Sequence, residues 1–264
     1  MDHSARRNGI RSLLVAGLLA VAGPAAAEPA DSDGVNDANN PLTQKSTILL
    51  QNYWQPILNG QPSRGADQLL VRGVLPHDAL GVPQLFRATL PVAMTYGPDG
   101  ATAGLGDATI FDLPMFFIDK VKIGVGPLVV VPTSTSRALG AGKWQAGGQM
   151  VVSAAHPWGL TAGFVSYQQS FENSLQTITA QPLLFYNLPD GYYLRSSGIA
   201  TFNLGARTSV LPVGLGLGRV FDRPDGTVVN VYLEPQYSVL QTGRGVPSFQ
   251  VLLGFNIQFP RGAR

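Results

Sequence analysis

Residues 249–259 alternate without a break. Phe249, Val251, Leu253, Phe255, Ile257 and Phe259 are large and apolar, and Gln250, Leu252, Gly254, Asn256 and Gln258 between them are mostly polar or small. Successive side chains of a strand point to opposite faces, so one face of this segment is continuous hydrocarbon. Soluble strands usually run about five or six residues, and this one is about twice that. A strand that crosses a membrane needs roughly 9–11 residues at a tilt. Taken alone, the segment would also suit an ordinary sandwich strand with a bent end. Combined with the rest of the chain it reads as the closing strand of a barrel in lipid.

The opposite end reads as an export signal. Arg6, Arg7 and Arg11 form a basic start and Leu13 to Gly23 an apolar run of about a dozen residues. Ala25-Ala26-Ala27 then gives an A-x-A cleavage site before Glu28. The run is too short for a membrane helix, and with no cysteine in the chain a lipoprotein anchor is not expected. Residues 1–27 are therefore expected to be removed on export. Three of the 18 Lys and Arg and one of the 16 Asp and Glu lie there, leaving fifteen of each sign and a neutral mature chain. No basic patch argues for nucleic acid. Charged residues make up 13% of the chain against 45% hydrophobic, with 31 Gly and 20 Pro. That is too little charge for a normally solvated surface, a difficulty that vanishes if the outer surface faces lipid.

Glu28 to Lys45, with Asp31, Asp33, Asp37, Asn36, Asn39 and Asn40, shows no periodicity and is read as a mobile, polar periplasmic lead-in. From residue 46 to 264 the pattern is all-β. Turn signals recur between strands at about 47–57, 67–76, 84–96, 104–117, 119–132, 142–155, 158–169, 175–187, 191–204, 209–221, 227–240 and 248–259. An even number suits a single-chain, antiparallel up-and-down transmembrane barrel of about twelve strands. With both termini in the periplasm, Trp54, Tyr96, Trp144, Tyr167, Tyr237 and Phe249 fall near outer strand ends. Phe117, Trp158, Tyr186, Tyr193, Phe221 and Phe259 fall near periplasmic ends. Two aromatic girdles are what the two lipid–water interfaces select. Pro56, Pro91, Pro114, Pro127, Pro182, Pro212 and Pro235 sit inside these strands and require bulges, because proline donates nothing to a ladder.

Several short motifs resemble a known family. They are Gly104-Leu105-Gly106-Asp107, Gly124-Val125-Gly126-Pro127, Pro132-Thr133-Ser134-Thr135, Leu139-Gly140-Ala141-Gly142-Lys143-Trp144, Gln181-Pro182 and Leu253-Gly254-Phe255. Together they resemble bacterial outer-membrane proteins described as meta-pathway phenol-degradation proteins, or simply as transporters. The resemblance covers most of 104–259 and is most specific over Gly124 to Trp144. It implies a barrel in the outer membrane of a Gram-negative bacterium and a link to the uptake of aromatic compounds, and it brings no catalytic residues.

Strand parity assigns the lumen. Glu234 and Gln236 lie opposite the apolar face of 227–240, and Lys143, Gln145 and Gln149 opposite that of 142–155. Arg72, Arg87, Asp112 and Lys122 are placed inward on the same logic, with Gln181 beside them. These residues suit a narrow polar pore passing small solutes, aromatic or anionic ones in the first place. The rival reading is a side-chain-filled barrel with a structural or assembly role, in which the same charges pair across the lumen. A third is a surface hydrolase, which needs a Ser/His/acid set near a rim. Only His77 and His156 remain outside the signal, with no nucleophile motif or metal-ligand spacing around them. No cofactor or metal is expected. The expected partners are outer-membrane lipid, a small solute and, through the C-terminal strand, the barrel-assembly machinery.

Overall fold

The computed structural model describes residues 28–172 and 174–260, so the segment read as a signal lies outside the described residues. Twelve antiparallel strands close on themselves. In chain order they are β1 (Ser46–Leu58), β2 (Gly65–Ala79), β3 (Val82–Gly97), β4 (Gly100–Leu105 and Ala108–Ile118), β5 (Val121–Val131), β6 (Gln145–His156) and β7 (Gly159–Ser170). There follow β8 (Gln176–Asn187), β9 (Tyr192–Ser196 and Ala200–Asn203), β10 (Thr208–Gly214 and Gly216–Asp222), β11 (Val228–Thr242) and β12 (Pro247–Phe259). Each pairs with the next, and β12 closes on β1 with Leu252 opposite Tyr53 and Gln258 opposite Thr47. Closure leaves no backbone edge to face lipid.

Alternation along the strands sorts the side chains as expected. Asn230, Tyr232, Glu234, Gln236 and Ser238 of β11 are buried, while Val231, Leu233, Tyr237 and Val239 are exposed. In β12, Gln250, Leu252, Asn256 and Gln258 are buried inward. Val71, Val92, Val125, Met150, Val165, Leu184 and Leu217 belong to the exposed outer set. Trp54, Trp144, Tyr167 and Tyr237 ring one end of that surface, and Trp158, Tyr186, Tyr192 and Phe259 the other. Tyr193 corrects the girdle assignment: it is fully buried in the lumen, and its neighbour Tyr192 takes the interfacial place.

The prolines fall where the ladder breaks. β4 and β5 pair from Ala108–Phe111 and again from Met115–Ile118, and the gap holds Pro114 opposite the Pro127 region. The register of β10 against β11 shifts between Leu211 and Pro212. A bulge leaves a residue unpaired, which is the one place a residue without an N–H costs nothing. The segment 77–83, left between two strands in the sequence reading, is mostly strand. β2 and β3 run on past His77 to a two-residue turn at Leu80 and Gly81, both with positive φ.

The largest departure is at the N-terminal lead-in. Ser32–Asn39 forms a helix, α1, capped by Asp31, whose carboxylate accepts from the Gly34 N–H at 2.7 Å. Val35, Asn36, Ala38, Asn40, Leu42 and Thr43 are buried, so the segment packs inside the barrel and is not a mobile tail. Its polar composition suited disorder in water. Inside the barrel, that same composition meets a polar wall.

Candidate solute pathway in the barrel lumen

Long inward side chains meet in the lumen because glycines lie between them. Tyr193 and Arg195 of β9, and Ser197 in the break of that strand, face in; Arg195 pairs with Gly216 and Tyr193 with Gly218 of β10. Gly218 in turn pairs with Tyr232 of β11. A Cβ on Gly216 would strike the Leu233 carbonyl, and one on Gly218 would strike the Tyr193 ring. The glycine row of the middle strand therefore leaves a trough across which its neighbours reach each other.

Arg195 and Glu234 cross that trough. The Arg195 Nε donates to Glu234 Oε2 at 2.8 Å, with 4% and 0% side-chain exposure. The Ser197 N–H donates to Oε1 at 2.8 Å, and its hydroxyl bonds Oε2 at 2.5 Å. Gln236 donates to Oε1 at 2.9 Å and accepts from Gln250 at 2.5 Å. The Arg195 guanidinium lies 3.6 Å from the centre of the Tyr232 ring. Every lone pair of this carboxylate faces a donor, the condition under which a buried ion pair is tolerated.

The opposite wall carries cations without such partners. Arg72 of β2 and Arg87 of β3 face inward; Arg72 donates from Nη1 to Gln51, which itself donates to the Tyr232 hydroxyl. Arg87 sits over the Phe111 and Phe164 rings at 5.4 and 5.5 Å. The Nε atoms of both arginines and the Tyr53 hydroxyl are buried without a hydrogen-bond partner among the described residues.

Two elements narrow the space around these groups. At the end where Ser46 pairs with Phe259, α1 is tied to strands on different sides of the wall. Asn187 donates to Asn36 at 3.0 Å, Asn230 to Asn39 at 3.0 Å, Ser153 to Asn40 at 3.0 Å and Gln258 to the Ala38 carbonyl at 3.2 Å. Leu42 continues into an apolar cluster with Val74, Leu85, Leu113 and Leu128. At the other end, the 132–144 loop folds over the inner faces of Gly104 and Gly106, where a Cβ would crowd Thr135 and Leu139. Asp107 anchors it, accepting from the Ser134 N–H at 3.1 Å and the Gly142 N–H at 2.9 Å. Thr133 donates to the Gly106 carbonyl at 2.7 Å. Between the two lies a cavity of about 90 Å3 lined by Arg72, Arg87, Arg195 and the C-terminal end of α1. That is room for a few water molecules.

Of the ten residues assigned to the lumen by parity, Arg72, Arg87, Gln145, Gln149, Gln181, Glu234 and Gln236 line it or are buried on its face. Lys122 shares the inward face with Gly124 and Leu128, beside Ser153 near the α1 end. Two assignments are corrected. Phe111, Leu113 and Met115 are the buried side of β4, which turns Asp112 outward, where its oxygens meet His77 at 3.1 and 3.2 Å. Hydropathy misled here because this stretch buries its apolar side inward. Lys143 precedes β6 and pairs with Glu172 in the loops. The motif residues Gly104, Gly106, Asp107 and Gly140 build the loop anchor. Gly126 lies tight against the Asp112 carbonyl, Pro127 lies in the gap of the β4–β5 ladder, Pro132 opens the loop and Trp144 joins the girdle. Parity applied to 191–197 would have found Arg195 and Ser197, which sequence reading left out, and Tyr193, which it placed in the girdle. The inward face of α1 gave no such signal.

Among solved structures the chain is similar to the COG4313 outer membrane channel from Pseudomonas putida, with a TM-score of 0.62 and 14% identity over 83% of this chain and 97% of that one. At that identity the likeness shows the fold. Two KdgM porin structures, one in complex with disordered oligogalacturonate, match at TM-scores of 0.47 and 0.46 and 12% identity, over 81% of this chain and 99% of theirs. No family model matches the chain and no curated protein matches its sequence. The phenol-degradation resemblance therefore rests on the short motifs alone. By fold and by its apolar outer belt, the chain is a Gram-negative outer-membrane β-barrel.

Proposed function

We propose that this barrel is a passive outer-membrane channel for small solutes with a preference for anions. The observation that carries the reading is the charge imbalance deep in the lumen. Arg72, Arg87 and Arg195 face the cavity, while one carboxylate, Glu234, is buried nearby and is already bonded to Arg195. A lumen ring of one sign selects the opposite sign in a pore. Aromatic solutes, implied by the motif resemblance, find ring faces at Phe164, Phe185 and Tyr232 along the same path. Residues 1–27 act as the export signal, both termini lie in the periplasm, and the Phe259 strand is the segment the assembly machinery reads.

α1 and the 132–144 loop narrow the pathway, so a shift of either would widen it. An isolated helix of eight residues is far below the length that is stable in water. The place of α1 thus depends on its wall contacts, each worth about 0.5–1.5 kcal/mol. The small cavity favours one rival, a filled structural barrel. The hydrolase reading is weaker: His77 bonds Asp112 on the outer face, and His156 bonds Thr161 at 2.9 Å and stacks on Trp158.

Proteoliposome swelling separates these readings. Folded protein should admit small carboxylate salts faster than uncharged solutes of equal size. No swelling from protein that shows the heat-modifiable gel shift of a folded barrel would favour the filled barrel. Ester turnover lost in His156→Ala would favour the enzyme. A tag in the 243–246 turn should be reachable on intact cells and one after Arg264 should not.

A further inference from the structure

Arg72 and Arg87 are neighbours on the lumen wall. Val74 is opposite Arg87 and Arg72 is opposite Thr89, so the two arginines sit diagonally on adjacent strands, with Cα atoms about 7–8 Å apart. Among the described residues neither takes part in a salt bridge, and each keeps a buried Nε with no acceptor. Isolating a buried cation is costly, and a ring face returns only part of that cost. The C-terminal end of α1 also lines this cavity and offers its partial negative charge. Both guanidinium groups therefore line the cavity without an ion-pair partner among the described residues.

The rest of the cavity wall indicates what would compensate them. Gln181 and Asn256 contribute amides, and Leu49, Val74, Leu183 and Phe164 contribute hydrocarbon. A guanidinium fork matches a planar carboxylate with two parallel hydrogen bonds. The hydrocarbon walls would cover an apolar remainder that an inorganic anion lacks. We propose that Arg72 and Arg87 form a binding site for the carboxylate of a small organic acid, seated midway along the lumen with its carbon chain against Leu49, Val74 and Phe164. The proposal rests on the channel reading for access to the site, but binding is measurable without transport.

The test uses butyrate as the probe and butyramide as its uncharged counterpart, with folded full-length protein in detergent followed by saturation-transfer NMR. Butyrate should bind saturably and butyramide should not. Arg87→Gln should weaken butyrate by about tenfold or more, the loss expected when a charge-assisted pair is removed. Arg87→Lys, which keeps the charge and the fold but loses the fork, should fall between. Absence of saturable butyrate binding in heat-modifiable protein that still conducts ions would overturn the site and leave the channel standing. Displacement of butyrate by sulfate at equal concentration would overturn the carboxylate assignment in favour of a general anion site. Binding of butyrate by a protein that never conducts would uphold the site and overturn the channel.

Discussion

Arg195 reaches Glu234 across Gly216, Nε to Oε2 at 2.8 Å, with the carboxylate fully buried inside the barrel. The pair bridges β9 and β11 over the intervening β10, so three strands are tied by one contact. Glu234→Gln should destabilise the barrel by about 3–5 kcal/mol, because it leaves a buried guanidinium without a counter-charge. Urea unfolding in detergent micelles, followed by tryptophan fluorescence, measures this. Replacing both partners, Arg195→Met with Glu234→Leu, should cost less than Glu234→Gln alone.

The trough itself is testable. Gly216→Val places a branched side chain against the Leu233 carbonyl and the Glu234 side chain and should abolish the heat-modifiable species. Gly73→Ala, whose Cβ meets nothing within 4 Å, should assemble normally. Equal behaviour of the two would mean that the glycines act by backbone flexibility and not by close approach.

Three asparagines hold α1. Asn36→Ala with Asn39→Ala removes bonds to Asn187, Asn230 and the His156 carbonyl while sparing the wall. Each lost bond should weaken docking by about 0.5–1.5 kcal/mol. In planar bilayers the variant should open more often than the parent. An unchanged open fraction would show that α1 does not gate the lumen.

At the opposite mouth, Asp107→Ala cuts the two backbone bonds that hold the 132–144 loop. Faster protease cleavage within 133–142 on the folded barrel is expected, together with larger current noise. Cleavage at the parental rate would assign the loop's position to Thr133 and Thr135 instead.

Where one face is lipid and the other polar, periodicity could be read directly, and the two faces of β11 and β12 were legible. Asp112 was misplaced because Phe111, Leu113 and Met115 face inward around Leu42, an apolar patch on the lumen side created by the plug segment. Parity shows that two faces differ; it does not show which is outside. The plug was illegible for a related reason. Asn36, Asn39 and Asn40 signal disorder in water and become bonding groups only against a wall assembled from strands more than a hundred residues away.

Whether the lumen conducts, and with what sign, decides between a channel and a filled barrel. Single-channel recording in a planar bilayer across a potassium chloride gradient reads both at once. Purified, heat-modifiable protein should give small ohmic steps whose reversal potential favours chloride, shifting toward potassium in Arg72→Glu and Arg87→Glu. A silent membrane, or cation-selective steps that neither substitution moves, would contradict the channel reading.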